Sequence, residues 1–369
     1  MKLNKFFMLG LAGLAFAACS SDDEVSNFDN GEKQSVVIKI GNEATSRTLG
    51  DSQAGLGGQA GNLKDGTAIK LSNVTIFYAQ GTNIVKSVKL SSTDTEKWNA
   101  LTGAAGYVEH NLPSAVNQVY IAGNYAGDLS KVATKDALEA TVVQATDQKD
   151  VNNIVLYGVD EELAEETNKV DDLGHNKVFK AEINLEPLIS RIEIKGIQCE
   201  DLGNQFSSIE LKAIGLMNVW QEVTLGGTTT KDLTLTNVNE PGQTGKDFTF
   251  GSADFWAWDN ITGVTLNQAT DTYPTDQQVY GYNFIAKNEQ DLQVKLYLAA
   301  KKGDAVTPLN NTITANFGEK EFEPGMIYQV TLKFKEENIG PWDPSQTQCI
   351  QVNVTVQKWE VETLTPQYQ

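Results

Sequence analysis

The sequence contains few of the residues on which catalysis and metal binding usually depend. Its 369 residues include 2 histidines and 3 cysteines. His110 and His175 do not stand at a metal-ligand spacing, and neither a G-x-S-x-G nor a C-x-x-C motif is present. We therefore predict no enzyme, no catalytic residue, no metal site and no cofactor, and we interpret both histidines as loop residues.

Positive charge is also scarce. The chain has 29 Lys and Arg against 48 Asp and Glu, for a formal net charge of -19. Binding to nucleic acid depends on basic residues that neutralise phosphates, so nucleic acid is not predicted as a partner. Arginine is rare, since all of the 29 Lys and Arg residues except Arg47 and Arg191 are lysine.

What is abundant favours β-structure. Hydrophobic residues make up 40% of the chain, and the 31 glycines occur with many Thr, Val and Asn residues, a composition typical of strands and turns. Short apolar runs broken by Gly, Asn and Asp predict strands at 36–40, 74–78, 84–90, 119–122, 154–157, 178–185, 189–197, 209–216, 219–225, 232–235, 279–286, 292–299, 312–317 and 327–334.

This strand series predicts an all-β fold with a minor helix, in which two β-sandwich domains of transthyretin-like or Greek-key type follow each other. The length suits two domains. We place the N-terminal sandwich at residues 48–186 and the C-terminal sandwich at residues 187–335. One helical pattern, Lys131 to Ala140, interrupts the strands.

The N-terminus has the pattern of an export signal. Lys2 and Lys5 precede an apolar run that ends at Ala18 and is too short for a permanent membrane span. We predict a signal peptide at residues 1–18. Because the run stops at Cys19 in a sequence that resembles a lipoprotein box, we predict lipidation of Cys19; the alternative is a plain secreted protein. The acidic residues 20–24 resemble a signal for the outer face of the outer membrane.

The other two cysteines, Cys199 and Cys349, have no obvious role. An exported protein can oxidise such a pair to a disulfide, but two buried free thiols are equally compatible with the sequence.

The last strand pattern is the most regular in the chain. Four apolar residues alternate with polar ones and are followed by an aromatic residue; they are Ile350, Val352, Val354, Val356 and Trp359. This amphipathic strand follows a loop that begins at residue 336. It can complete the second sandwich of its own molecule, or it can reach a neighbouring one.

Five segments together resemble the fimbrillins, the shaft subunits of type V pili. They span most of the precursor and occur in the expected order. The segments are MKLNKFFMLGLAGLAFAAC, SVVIKIGNEATSRTLG, LISRIEIKGI, FEPGMIYQVTLKF and IQVNVTVQKWEVETLTPQYQ.

The resemblance implies assembly by strand exchange. In this family an Arg-specific extracellular protease cuts behind the first strand, which here points to the Arg47–Thr48 bond and to residues 19–47 as a lipidated propeptide. The departing strand has inward residues Val36, Ile38 and Ile40. The donor strand within residues 336–369 of a neighbouring subunit, with Ile350, Val352, Val354, Val356 and Trp359, then fills the opened groove.

The physical logic agrees with this assignment. A sandwich that loses a strand exposes unpaired backbone groups and an apolar slot, which a strand from another molecule can fill. Arg47 lies in a small, polar stretch where proteolysis is expected, whereas Arg191 lies inside a strand pattern and should be protected.

The implied partners are other copies of the chain, the tip and anchor subunits of the fimbrium, and the Arg-specific protease. Before trimming, a palmitate-bearing lipid anchor holds the precursor in the outer membrane; afterwards the protein is part of an extracellular fimbrium that supports adhesion. The main alternative is a surface lipoprotein that binds glycan or protein and never polymerises. A surface hydrolase with paired carboxylates is a third interpretation, but the acidic runs at 160–166 are typical of solvated surface.

Overall fold

A computed structural model describes the chain over residues 32–41, 55–56, 69–148, 152–167, 169, 171, 173–174, 177–233, 257–275, 278–287, 292–317, 321–339 and 351–358. Several predictions lie outside these residues. They concern the signal peptide 1–18, Cys19, Arg47, Thr48, His175, Cys349, Ile350 and Trp359.

The predicted all-β fold with a minor helix is confirmed. The strands of the first half are β1 Lys33–Gly41, β2 Gly55–Leu56, β3 Asn73–Gln80, β4 Asn83–Ser91, β5 Tyr107–Pro113, β6 Gln118–Gly123, β7 Val142–Gln144, β8 Leu156–Asp160, β9 Ala164–Glu165, β10 Val178–Asn184 and β11 Glu186–Pro187. Those of the second half are β12 Ser190–Cys199, β13 Ser208–Met217, β14 Val219–Thr224, β15 Thr229–Leu233, β16 Trp258–Leu266, β17 Val279–Phe284, β18 Gln293–Lys301, β19 Leu309–Asn316, β20 Met326–Phe334 and β21 Gln351–Lys358.

Most of the strands group by position in the chain. One sheet has the order β5-β1-β10-β9 and another β11-β8-β6-β3-β4, so both come from the first half. The orders β2-β17-β12-β20-β21 and β16-β13-β18-β19 belong mainly to the second half. This grouping resembles the predicted pair of sandwiches, although the boundary at residue 186 stays a prediction.

Among the described strands, two pairings connect the halves. The short strand β7 pairs with β14 in a three-stranded sheet of order β15-β14-β7, and β2 pairs in parallel with β17 at the edge of the larger C-terminal sheet. The side chain of Asn283 adds a buried hydrogen bond of 2.7 Å to the carbonyl of Gln148. Backbone pairing between the halves is not visible in a local strand pattern, because it joins residues far apart in the sequence.

The helices differ from the prediction in number and length. The predicted helix over 131–140 is confirmed in part as α2, Lys135–Glu139, where the Thr134 hydroxyl accepts from the backbone N–H of Ala137. A second helix, α1, spans Thr95–Thr102 and was not predicted. Its buried residues, Trp98 and Leu101, are three positions apart and thus share one helical face, but two apolar residues are a weak signal.

The core is built from the inward rows of the strands. In β3 and β6 the alternation is lost, because residues on both faces are buried; among them are Ile76, Phe77, Tyr120 and Ile121, all at 0% exposure. Strands with both faces covered belong to the middle of a layered structure. The same applies to β1, and its position is therefore the starting point for the functional site.

Candidate functional site

Strand β1 occupies the interior of its sheet, with a neighbour on each side. It runs parallel to β10 over Ser35–Gly41 and antiparallel to β5 over Lys33–Ile38. Both rows of its backbone hydrogen-bonding groups therefore face partners. Loss of β1 would leave a slot between β5 and β10, which we call the β1 slot.

The inward row of β1 fills this slot with apolar side chains. Val36 and Ile38 are fully buried and Ile40 is half-buried against the core. Gln34, opposite Leu112, continues the same row; it is fully buried and donates from Nε2 to the Val116 carbonyl over 2.7 Å. Of the three inward residues predicted from the sequence, Val36 and Ile38 thus lie in the core and Ile40 packs against it.

The outward row of β1 is covered as well, which simple alternation did not predict. Val37 is only 2% exposed, and Gly106 lies directly against it. A Cβ at position 106 would approach the Ile38 carbonyl oxygen to 2.7 Å and Val37 Cγ1 to 2.8 Å, and the φ of +84° also favours glycine. The backbone at Gly106, just before β5, thus packs directly against the outward face of β1.

A polar cluster covers the outward face of β1 near its start. The Ser35 hydroxyl donates to Asp171 Oδ2, and His110 Nδ1 lies 3.1 Å from Ser35 Oγ and 3.0 Å from the same carboxylate oxygen. The Asp171 side chain is 4% exposed and that of His110 31%. The other carboxylate oxygen of Asp171, Oδ1, accepts from the backbone N–H of Leu173 at 3.0 Å. His110 belongs to β5, so its prediction as a loop residue was wrong.

These three residue types are those of a hydrolytic triad, but the geometry differs from one. In such a triad the histidine contacts the serine with one ring nitrogen and the carboxylate with the other. Here Nδ1 of His110 faces both Ser35 and Asp171, and Ser35 is fully buried. The arrangement fits a clasp that ties β1 to its surroundings.

The C-terminal strand β21 lies at an edge of its own sheet. It pairs antiparallel with β20, with Val354 opposite Val330. Its valines, Val352, Val354 and Val356, are half-buried, and Asn353 and Thr355 are exposed. The predicted strand is therefore present and pairs within its own chain, which is the first of the two alternatives the sequence left open.

The chain that follows β20 is firmly held at Glu336. Glu336 is 1% exposed, and its carboxylate accepts from the backbone N–H groups of Gly203, Gln205 and Phe206 at 2.8, 2.5 and 3.0 Å. Its own N–H donates to Asp201 over 2.7 Å. Detachment of β21 would thus be limited to residues beyond this anchor.

Arg191 lies where the sequence predicts protection from proteolysis. Its side chain is 1% exposed within β12 and donates from Nε to Glu193 over 2.7 Å. The glycine at position 281 on the adjacent strand leaves room for the guanidinium, because a Cβ there would come within 2.4 Å of Nη2. Burial inside a strand that is paired on both sides removes this arginine from a protease's reach.

The remaining candidates add no chemistry. Cys199 is a buried free thiol, and burial raises its pKa to about 12, so it stays protonated at neutral pH. Within the described ranges no group of three or more His, Cys, Asp or Glu could hold a metal ion, and none of the helices described there is long and apolar enough to cross a membrane.

Comparison with known proteins places this architecture among fimbrial and adhesion proteins. No family model matches the chain. A candidate fimbrium tip subunit of Parabacteroides distasonis, Fim1C, is 28% identical over 231 residues, which cover 59% of this chain and 57% of that protein. The match thus spans little more than half of the relative's length.

Solved structures share the fold over nearly their full length. A candidate cell adhesion protein of Bacteroides eggerthii has a TM-score of 0.55 and 16% identity, with 91% of this chain and 100% of that chain covered. A similar protein from Parabacteroides distasonis has a TM-score of 0.54 and 15% identity, with 90% and 98% covered. The fimbrilin FimA of Porphyromonas gingivalis has a TM-score of 0.50 and 12% identity, with 89% and 98% covered. The resemblance to the fimbrillins is therefore confirmed, and the chain has their β-sandwich fold.

Proposed function

We propose that this protein is a structural subunit of a surface fimbrium that supports adhesion. In this proposal the chain is exported as a lipoprotein on Cys19, trimmed after Arg47, and polymerised by donor-strand exchange. The donor is the C-terminal strand of a neighbouring subunit. The protein acts by assembly and binding, not by catalysis.

The observation that carries the proposal is the interior position of β1. This strand precedes Arg47 in the sequence, yet it forms hydrogen bonds to both β5 and β10 and buries Val36 and Ile38 completely. Its loss would open a slot that only another strand can fill, because both rows of backbone groups need partners.

Proteolysis would act at one place in the folded chain. Arg47 follows the end of β1 at Gly41 and precedes β2 at Gly55, so a cut there separates the two strands covalently. Arg191, the only other arginine, is buried. A protease specific for arginine would therefore release β1 without damaging the C-terminal sheets.

The burial of the valines favours their occupation of the slot once β1 has left. In its own sheet β21 leaves Val352, Val354 and Val356 half-buried at an edge. In the β1 slot the corresponding side chains would be fully buried, as Val36 and Ile38 are now. Full burial of an apolar side chain stabilises by about 1.5–3 kcal/mol. Moving three half-buried valines from the edge into the vacant slot gains part of that for each, and this gain offsets the burial that Val36 and Ile38 lose when β1 departs.

The test is to trim the purified chain with an Arg-specific protease and follow its assembly. We expect subunits that begin at Thr48, a ladder of oligomers on gels run without heating, and filaments in electron microscopy. A chain with Arg47→Ala is the matched control and should stay monomeric. Filaments whose subunits still begin at Cys19 or Ser20 would contradict the proposal.

A second candidate is a surface lipoprotein that binds glycan or protein and does not polymerise. The pairing of β21 with β20 in its own chain favours it, because a strand that stays there cannot act as a donor. Deleting residues 350–369 separates the candidates. After trimming at Arg47, the fimbrial proposal expects the full chain to form oligomers and the truncated chain to stay monomeric, whereas this alternative expects both chains to stay monomeric.

The position within a fimbrium is a further question, since the relative from Parabacteroides distasonis is named as a candidate tip subunit. We favour the shaft, because Arg47 and the terminal strand would let each subunit both accept and donate. Immunogold labelling along the whole fibre is the expected result. Label at fibre ends alone would assign the tip.

A further inference from the structure

We propose that Asp171 and His110 form a polar subsite of the β1 slot, which selects the strand that occupies it and receives Asn353 of the incoming strand. The inference rests on the donor-strand exchange proposed above. It concerns what the slot recognises besides apolar side chains.

The subsite is already built in the precursor. The Asp171 side chain is 4% exposed and contacts His110 Nδ1 at 3.0 Å. Ser35 of β1 is fully buried, and its hydroxyl group donates a hydrogen bond to the same carboxylate. Departure of β1 removes this donor from a buried carboxylate. A buried charge that loses a hydrogen bond is costly, so the next occupant is favoured if it brings a polar side chain to the same place.

The incoming strand has polar side chains on its outward face. If it runs parallel to β10, as β1 does, Asn353 can take the position of Ser35. The two valines that follow on the inward face then take the positions of Val36 and Ile38, which are both fully buried. The amide N–H of asparagine can donate to the Asp171 carboxylate, a charge-assisted hydrogen bond.

The neighbouring outward position supports this register. Thr355 would take the place of Val37, which is 2% exposed; threonine has nearly the same shape as valine and buries one hydroxyl there, a smaller polar group than the asparagine amide. A shift by two residues would instead place Asn353 there, burying an amide without the carboxylate partner.

The inward row accommodates this register at its first position. Val352 would replace Gln34, whose Oε1 is buried and has no hydrogen-bond partner among the described residues. A valine at this position removes the unpaired Oε1, and it also removes the Gln34 donor to the Val116 carbonyl, so the two effects oppose each other.

The subsite would also determine which face of the strand turns inward. Slippage by one residue exchanges the two faces of a strand. In the β1 slot it would bring a valine against Asp171 and polar side chains into the core. A buried carboxylate on the outward side therefore disfavours the wrong facing, because a valine there cannot replace the hydrogen bond that Ser35 donates.

The test uses the full chain after trimming at Arg47 and synthetic peptides of residues 350–358. We expect the Asn353→Val peptide to displace β1 with a Kd about tenfold higher than the unmodified peptide, which corresponds to about 1.4 kcal/mol. The Gln351→Val peptide is the matched control and should bind like the unmodified one. In a chain with Asp171→Ala the unmodified and Asn353→Val peptides should bind equally.

A second measurement examines the precursor strand itself. After trimming, Ser35→Ala should release β1 about tenfold faster, whereas Lys39→Ala, also on the outward row, should release it at the wild-type rate. Mass spectrometry of the gel-filtered protein at successive times gives both rates.

Two results would overturn the subsite. One is equal binding of the Asn353→Val and unmodified peptides, or weaker binding of Gln351→Val alone, which would indicate another register. The other is unchanged release of β1 from Ser35→Ala. If no peptide enters the slot, the donor-strand proposal fails together with the role of Asn353, and the release rates still decide whether the clasp holds β1.

Discussion

Replacing Val354 with aspartate distinguishes the two places that the C-terminal strand can occupy. In its own sheet Val354 is half-buried at an edge and lies opposite Val330 of β20. In the β1 slot the same side chain would lie where Val36 is now fully buried. A carboxylate at position 354 therefore remains partly in water in the first place and is buried without a partner in the second.

The two costs differ enough to measure. Burial of an unpaired carboxylate costs several kcal/mol, and about 4 kcal/mol lowers an association constant roughly a thousandfold. At the sheet edge, a substitution that keeps access to water should cost about 1 kcal/mol. We therefore expect Val354→Asp to abolish assembly while the melting temperature of the untrimmed chain falls by only a few degrees.

The assay mixes trimmed subunits and follows oligomer ladders on unheated gels and filaments in electron microscopy. Gln357→Asp is the matched control, because it places the same charge on the polar row of the same strand; it should assemble at nearly the wild-type rate. Filaments formed by Val354→Asp subunits at the wild-type rate would refute the assignment of β21 as donor. A large loss of stability in the untrimmed Val354→Asp chain would indicate instead that the strand is integral to its own sheet.

Three further predictions follow from the anchor, the cleavage site and the packing of β1. Cys19→Ala should abolish incorporation of a palmitate analogue and release the precursor from the outer membrane; unchanged labelling would rule out this lipidation site. Arg47→Ala should make the native chain resistant to an Arg-specific protease, since Arg191 is buried, and cleavage at Arg191 seen by mass spectrometry would contradict this. Gly106→Ala should lower the free energy of unfolding by about 1–3 kcal/mol, because its Cβ would collide with β1. Gly81→Ala is its control for strain, since that glycine has a φ of +58° and no atom within 4 Å of the added Cβ, so an equal loss in both variants would argue against close contact with β1.

The terminal strands were the easiest elements to predict. Strict alternation over Val352, Val354 and Val356 predicted β21, and the apolar run around Val36 and Ile38 predicted β1, because a period of two is a local property of the chain. The helix α1 was missed for the converse reason. With two buried residues, Trp98 and Leu101, it has little periodicity of its own and depends on packing against β1 and β5.

One residue of the polar cluster, His110, stands out in the sequence, but its interpretation as a loop residue is wrong. His110 follows Tyr107 and Val108 in a segment without strict alternation, a pattern that favours a loop. The structure places it in β5 beside Ser35. Asp171 lies in a connection 61 residues further along the chain, so no local pattern could associate the two residues.

The sequence by itself determined the fold class, the amphipathic character of the last strand and the resemblance to the fimbrillins. These properties follow from local alternation, turn residues and short motifs, which do not depend on distant parts of the chain. Only the tertiary structure decided that β1 lies between β5 and β10 and that β21 pairs with β20. It also decided that His110 and Asp171 cover Ser35 on the outward face of β1. The physical reason is that strand neighbours and register are set by hydrogen bonds and burial between residues far apart in the sequence. The local pattern of a strand is compatible with many neighbouring strands and does not distinguish between them.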